Sequence, residues 1–239
     1  MSYSTRIFDD NAGIARFLGE KLAILSHSKD KVFLALSGGN TPKAIFELWA
    51  NEYANKIEWK HLFLFWGDER CVAPNDPESN YGMTNLSLLC HVGIPKNQIF
   101  RIQGELTPAV AATIYQQNLV QELPTPNGIP VFDIVLLGLG DDGHTLSIFP
   151  NQSQLWDSAN ICEVATHPVT GQKRVTFTGS VIAAAHEVLF LVTGTGKKQV
   201  VDEILNRSGN YRHYPAARVD NPNTMWLLDK KAAEFLETK

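Results

Sequence analysis

Residues 131–150 read VFDIVLLGLGDDGHTLSIFP. The first seven are apolar, rich in β-branched side chains and interrupted only by Asp133. A short run of this kind that stops at glycines reads as a buried strand with an abrupt end. The loop beyond it carries two carboxylates, Asp141 and Asp142, and an imidazole, His144, two residues after the second. In open α/β sheets, loops at the carboxyl ends of strands are where ligands bind. A histidine with a carboxylate close by is the usual form of a general base whose tautomer and orientation are fixed.

Working outward, strand-like and helix-like segments alternate. Residues 31–36 read as a strand, and 42–53 as a helix with Ile45, Phe46, Leu48 and Trp49 on its apolar face. A second strand covers 61–66. A loop from 67 to 78 contains Pro74 and Pro77, and a helix follows near 80–90. Residues 109–123 read as a helix and the proline-rich 124–130 as a connector. Further strands fall at 188–192 and 224–228, with a helix at 197–205 between them and a C-terminal helix after the last. This alternation predicts an α/β fold: a Rossmann-like open, mostly parallel sheet with helices on both faces. The seven-residue connector is a loop and not a domain linker, so residues 1–239 are expected to form a single domain.

Composition narrows the function. Of 239 residues, 44% are hydrophobic and 19% charged, ordinary values for a globular protein able to bury a sizeable core. The net charge of −4, without a basic stripe, argues against a nucleic-acid partner. No apolar run approaches the ~20 residues of a membrane span. The N-terminal residues lack the apolar centre of a signal peptide. Cys71, Cys90 and Cys162 are far apart and odd in number. They predict neither a disulfide framework nor a metal site and fit a reducing, cytoplasmic setting.

Three other polar segments sit at strand ends. In LALSGGNTP (34–42), the strand ends at Ser37, and Gly38 and Gly39 allow a tight turn and close approach of a ligand. Thr41 is read as the N-cap of the next helix and Pro42 as its first residue. A glycine turn feeding a helix N-terminus offers free amides and a positive dipole end to an anion. It matches neither a Walker A loop nor the dinucleotide fingerprint. In FWGDER (65–70), Arg70 can hold a phosphate, a sugar hydroxyl or a developing oxyanion. Asp68 and Glu69 are expected to orient it or to hydrogen-bond a polyol. In the third, split segment, Arg174 opens the strand at 173–178, and Lys197 and Lys198 stand at a helix start where an anion would offset their unfavourable position. Four such loops on one sheet edge suit a small phosphorylated polyol and proton-transfer or hydrolytic chemistry. His27, His61, His91, His167, His186 and His213 lack a comparable setting and read as ordinary histidines.

At these residues the chain resembles the 6-phosphogluconolactonase family nearly end to end. The resemblance rests on SGGNTP (37–42), GDER (67–70), SNYGM (79–83), DGHT…FP (142–150), Arg174-Val-Thr and Gly194-x-x-Lys197. One departure is Leu146-Ser-Ile148, where Ala-Ser-Leu is common; these are apolar exchanges expected to tune the pocket. The related glucosamine-6-phosphate deaminases share the fold and the Asp-Gly-His element. Their pattern carries a catalytic Glu where this chain has Phe149 and a Tyr where it has Arg70. Both departures favour the lactonase over the deaminase. A non-catalytic sugar-phosphate sensor is disfavoured by the intact His144.

The resemblance implies hydrolysis of 6-phospho-glucono-1,5-lactone in the oxidative pentose phosphate pathway, without metal or coenzyme. His144 would activate the attacking water, Asp142 would orient the imidazole, and Arg70 would face either the reacting end or the phosphate. Ser37, Gly38, Gly39, Thr41, Asp68, Arg174 and Lys197 would bind the substrate, mostly at its phosphate. Its partner would be that small molecule alone, with no nucleic acid or membrane, in a monomer or a dimer.

Overall fold

The computed structural model describes residues 4–236. Ten strands and six α-helices build it, with short 3-10 and π turns between them. They are β1 (Ser4–Phe8), α1 (Asn11–Ser28), β2 (Val32–Leu36), α2 (Asn40–Leu48), β3 (Leu62–Trp66), β4 (Asp68–Arg70), α3 (Asn80–Ser87), β5 (Ile99–Phe100), α4 (Pro108–Glu122), β6 (Ile134–Leu137), β7 (Cys162–Thr166), β8 (Lys173–Phe177), α5 (Gly179–Ala184), β9 (Val188–Val192), α6 (Lys198–Leu205) and β10 (Thr224–Asp229).

Seven strands form an all-parallel sheet in the order β1-β10-β9-β6-β2-β3-β5, flanked by helices. Every residue of β2, β6 and β9 is buried, whereas the edge strand β1 is largely exposed. That is why the central strands read as continuous apolar runs and not as alternating ones. The chain leaves β2 toward β3 on one side and leaves β6 toward β9 on the other. The carboxyl ends of β2 and β6 therefore flank the switch point of the sheet, where a crevice for ligands opens.

A second, antiparallel sheet, β4-β8-β7, packs against α4. The expected loop at 67–78 thus contains a strand, and the predicted sheet was not the only one. Gly67 joins the two sheets, donating to Leu36 O at 2.9 Å and accepting from Phe177 N at 2.8 Å. The buried Tyr115 hydroxyl closes off β3 by bonding both the amide and the carbonyl of Trp66 at 2.8 Å. β1, α1, β5, β7 and α5 were not among the expected elements. Conversely, the chain after β10 makes turns over 230–236 and not a regular helix, held by Ala232 N and Ala233 N bonding back to Asp229. A continuous core extends from Ile14 to Ala233.

Candidate active site

Because all seven strands are parallel, Ser37, Gly67, Gly138 and Thr193 emerge on one edge of the sheet, each just past a strand end. The phosphate-type turn after β2 is shaped by two glycines. A Cβ on Gly38 would lie 1.8 Å from Asn80 Oδ1, so only glycine fits there. Gly39 has a φ of 98° and open space beside it, a backbone conformation that glycine adopts without strain. Gly39, and not Thr41, is the N-cap, and α2 begins at Asn40. The Thr41 side chain instead shares a 2.6 Å hydrogen bond with the Thr193 hydroxyl, tying the loop after β2 to the loop after β9. The first-turn amides of Asn40 and Thr41 have no acceptor within the helix, as at any helix start.

The loop after β6 is built around His144. Its Nδ1 lies 2.6 Å from Asp142 Oδ1, and its amide donates to the same oxygen at 3.1 Å. Burial works against the Asp142 charge, but the hydrogen bonds and electrostatic attraction of His144 outweigh it and hold the carboxyl below the usual range. An ionised Asp142 makes Nδ1 the protonated nitrogen. Gly140 must be glycine, since a Cβ there would lie 2.1 Å from His144 Nδ1. Gly143, at φ 78°, lies beneath the Tyr214 ring, and Ala216 N donates to its carbonyl at 3.1 Å. Tyr214 is itself held by Glu203 at 2.8 Å. Leu146 takes the left-handed φ of 55°, unusual for a leucine, with its side chain buried against Gly67.

Asp68, 6% exposed, accepts from Ser147 Oγ at 2.6 Å, while Ser147 N donates to Thr176 Oγ1 at 3.2 Å. Asp68 thus fastens the His144 loop to the small sheet. Glu69 does not pair with Arg70. It is buried and accepts from the amides of Arg70, Asn80 and Tyr81 at 2.7–2.8 Å and from Ser79 Oγ at 3.0 Å. Burial pushes its pKa up, against the pull of those hydrogen bonds. The expectation that Glu69 orients the Arg70 side chain is replaced by a clamp on the start of α3.

Arg70 Nη1 donates to the Glu78 carbonyl at 2.5 Å, and its Nε is buried with no partner. Arg174 also has a buried, unpartnered Nε, with only a long 3.4 Å bond from Nη1 to Ser147 Oγ. Its guanidinium lies 5.6 Å from the centre of the Phe149 ring, whose other neighbour is His144 at 4.8 Å. Lys197 Nζ is in contact with Asp141, on the His144 loop, whereas Lys198 pairs with Glu234 at 3.1 Å and lies over Phe235. The loop carrying Lys197 is fixed by Gly194 N, which donates to both Asp229 carboxylate oxygens at 3.1 Å.

The structure therefore gathers His144, Asp142, Asp68 and Arg174 around one loop, with Arg70 paired to Arg174 in strand register. Ser37 stands 3.5 Å from the Cβ position of Gly138, at the switch point. A cavity of about 1180 Å³ opens alongside, lined by Gly39, Asn40, Arg70, Glu78 and Asn80; the His144 loop lies outside its wall. Among the described residues, no group of three or more His, Cys, Asp or Glu is placed to hold a metal, and no helix is long and apolar enough to cross a membrane. His167, passed over in the sequence, lies against Phe149 at 5.1 Å. Only strand pairing brings it there, which no spacing in the sequence announces.

Comparison with known proteins agrees with the fold. The profile of a family described as glucosamine-6-phosphate isomerases/6-phosphogluconolactonase matches residues 11–227. A 6-phosphogluconolactonase of Treponema pallidum is 44% identical over 95% of this chain and 90% of its own length. Among solved structures, a devB protein superposes with a TM-score of 0.93 at 42% identity, covering 98% of this chain and 99% of that one. The 6-phosphogluconolactonase of Trypanosoma cruzi gives 0.84 at 30% identity, covering 99% and 98%.

Proposed function

The chain belongs to the family of glucosamine-6-phosphate isomerases and 6-phosphogluconolactonases, and we propose that it is a lactonase that hydrolyses 6-phospho-glucono-1,5-lactone to 6-phosphogluconate in the oxidative pentose phosphate pathway. One observation carries this reading. The fixed His144–Asp142 pair stands one aromatic ring away from Arg174, a cation whose buried Nε has no partner. A base and an anion site at that separation suit a substrate with a reactive carbonyl at one end and a phosphate at the other.

With Nδ1 committed to Asp142, Nε2 of His144 takes a proton from the attacking water. The new C–O bond forms at the lactone carbonyl, and its electron pair moves onto the carbonyl oxygen. Arg70 stabilises that oxyanion with donors already in place, so little reorganisation is needed. When the carbonyl reforms, the ring C–O bond breaks and the imidazolium returns its proton to the ring oxygen. The turn at Ser37, Gly38 and Gly39, the first turn of α2 at Thr41, and Arg174 and Lys197 hold the phosphate. Asp68 acts through Ser147, keeping the His144 loop against Arg174. The Ser147 bond occupies Oδ2 of Asp68, and Oδ1 serves the substrate-binding role read from the sequence.

Deaminase chemistry is the weaker reading, since the position of its catalytic Glu holds Phe149, only 1% exposed. The three cysteines are unpaired, which suits a reducing cytoplasm. The test is consumption of freshly generated lactone followed by phosphorus NMR. The protein in catalytic amounts should outpace spontaneous hydrolysis; an unchanged rate refutes the assignment.

A further inference from the structure

Strand register places an additional residue in this site. In an antiparallel ladder, directly paired residues share a face, and so do residues two apart. Asp68 pairs with Thr176, Arg70 with Arg174, and Arg174 with Ala165. His167 follows Ala165 by two, just past β7, where its amide donates to Gln172 O at 2.9 Å and prolongs the ladder by one rung. Asp68, Arg70, Arg174 and His167 thus belong to one face of the small sheet, the face that meets the His144 loop.

The imidazole of His167 is held in one orientation. Its Nδ1 accepts from Val169 N at 3.3 Å and from Thr170 N at 3.2 Å, inside the turn that joins β7 to β8. A nitrogen that accepts carries no proton, so Nε2 bears it and is a donor. The ring stands edge-on to Phe149 with centres 5.1 Å apart. Phe149 is also the surface on which Arg174 and His144 rest. Burial, followed by the charges of Arg174, His144 and Arg70 and opposed by Asp142, pulls the His167 pKa down. The ring stays neutral beside cations that a second positive charge would repel.

We infer that His167 is a substrate-binding residue: its neutral Nε2–H completes, with Arg174, the donor set for the phosphate of the sugar lactone. The inference rests on the lactonase reading for the identity of the ligand. It assigns to a turn residue what surface histidines do not do, namely to discriminate phosphorylated from unphosphorylated ligand. A neutral donor adds directionality without adding to the repulsion between Arg70 and Arg174.

The test is binding of 6-phosphogluconate and of gluconate, measured by titration calorimetry on wild type, His167→Ala and His167→Gln. The Gln amide can reach the place of Nε2–H, whereas Ala offers no donor. His167→Ala should bind 6-phosphogluconate about tenfold more weakly, the size of one charge-assisted hydrogen bond. His167→Gln should recover most of that loss, and gluconate should bind all three alike. Equal affinity of His167→Ala and wild type for 6-phosphogluconate overturns the inference. So does an equal loss in both variants, which marks damage to the turn. Wild type that binds 6-phosphogluconate without hydrolysing the lactone sinks the lactonase reading alone, and the variants' affinities still judge His167. Wild type that does not bind 6-phosphogluconate sinks both.

Discussion

Arg70 and Arg174 face each other in register across β4 and β8, and the Nε of each is buried without a partner. Like charges directly opposite on a sheet destabilise it. Burial, with a contribution from Arg70 and against the pull of Asp68, lowers the Arg174 pKa. Two adjacent cations with open donors store an unfavourable interaction that an entering anion relieves. This pair is the electrostatic basis of the proposed site.

It follows that loss of Arg174 should matter only when the substrate carries a phosphate. Charge-assisted hydrogen bonds contribute roughly 1.5–3 kcal/mol each. Arg174→Ala and Lys197→Ala should each lower kcat/KM for the phosphorylated lactone about 10- to 100-fold, at ~1.4 kcal/mol per decade. Slow hydrolysis of glucono-1,5-lactone should hardly change. Lys198, held by Glu234, serves as the control and should tolerate Ala. Equal losses on both lactones would mean that these side chains support the fold or the reacting end instead.

Asp142 should govern both rate and acid stability. Asp142→Asn keeps the shape but offers His144 no charge, so kcat should fall at least tenfold with little change in 6-phosphogluconate affinity. The native carboxyl pKa is lowered, so the pair's stabilising contribution is fully present above the unfolded value of ~3.9 and fades as pH falls through the folded one. Calorimetry should find wild type more stable than Asp142→Asn near neutrality. The two should converge in acid well below the ordinary Asp range. A constant difference across that range would contradict the assignment.

Gly38 should be intolerant of a methyl group for a local reason. Its added Cβ would meet Asn80 Oδ1 at 1.8 Å and Cγ at 2.2 Å. Gly38→Ala is expected to cost about 1–3 kcal/mol in urea unfolding, the usual penalty for overpacking. Removing the obstacle with Asn80→Ala in the same chain should recover part of the loss. Additive destabilisation in the double variant would disprove the clash.

Much of this was legible in the sequence, and the parts that were not share a cause. Fully buried strands such as β2, β6 and β9 announce themselves as apolar runs, and so do the glycine turns that end them. The parallel order then puts Ser37, His144 and Lys197 on one edge with no further information. β4 is invisible because Asp68-Glu-Arg70 has no apolar pattern; its strand character comes from pairing with β8. The same pairing decides that Glu69 turns inward to α3 and that His167 joins Arg174. Thr41 looked like a cap, yet its hydroxyl found Thr193, 152 positions away. Tertiary partners of this kind override local preference and leave no periodic trace.

On the proposed reading, Phe149 stands where a deaminase of this family would carry its catalytic Glu. Its ring fills the space between His144 and Arg174 and offers no carboxylate. The protein should therefore release no ammonia from glucosamine 6-phosphate above a buffer blank in an enzymatic ammonia assay. Sustained release would reverse the ranking of lactonase over deaminase.

The central claim is that His144 drives hydrolysis of the phosphorylated lactone. A pH-stat recording of acid release from freshly generated 6-phospho-glucono-1,5-lactone, corrected for spontaneous opening, tests it most directly. Wild type should accelerate acid release strongly. His144→Ala should lose about 10²–10⁴-fold of that rate, the usual contribution of a general base, while binding 6-phosphogluconate nearly as well as wild type. No acceleration by wild type, or near wild-type turnover by His144→Ala, would contradict the account.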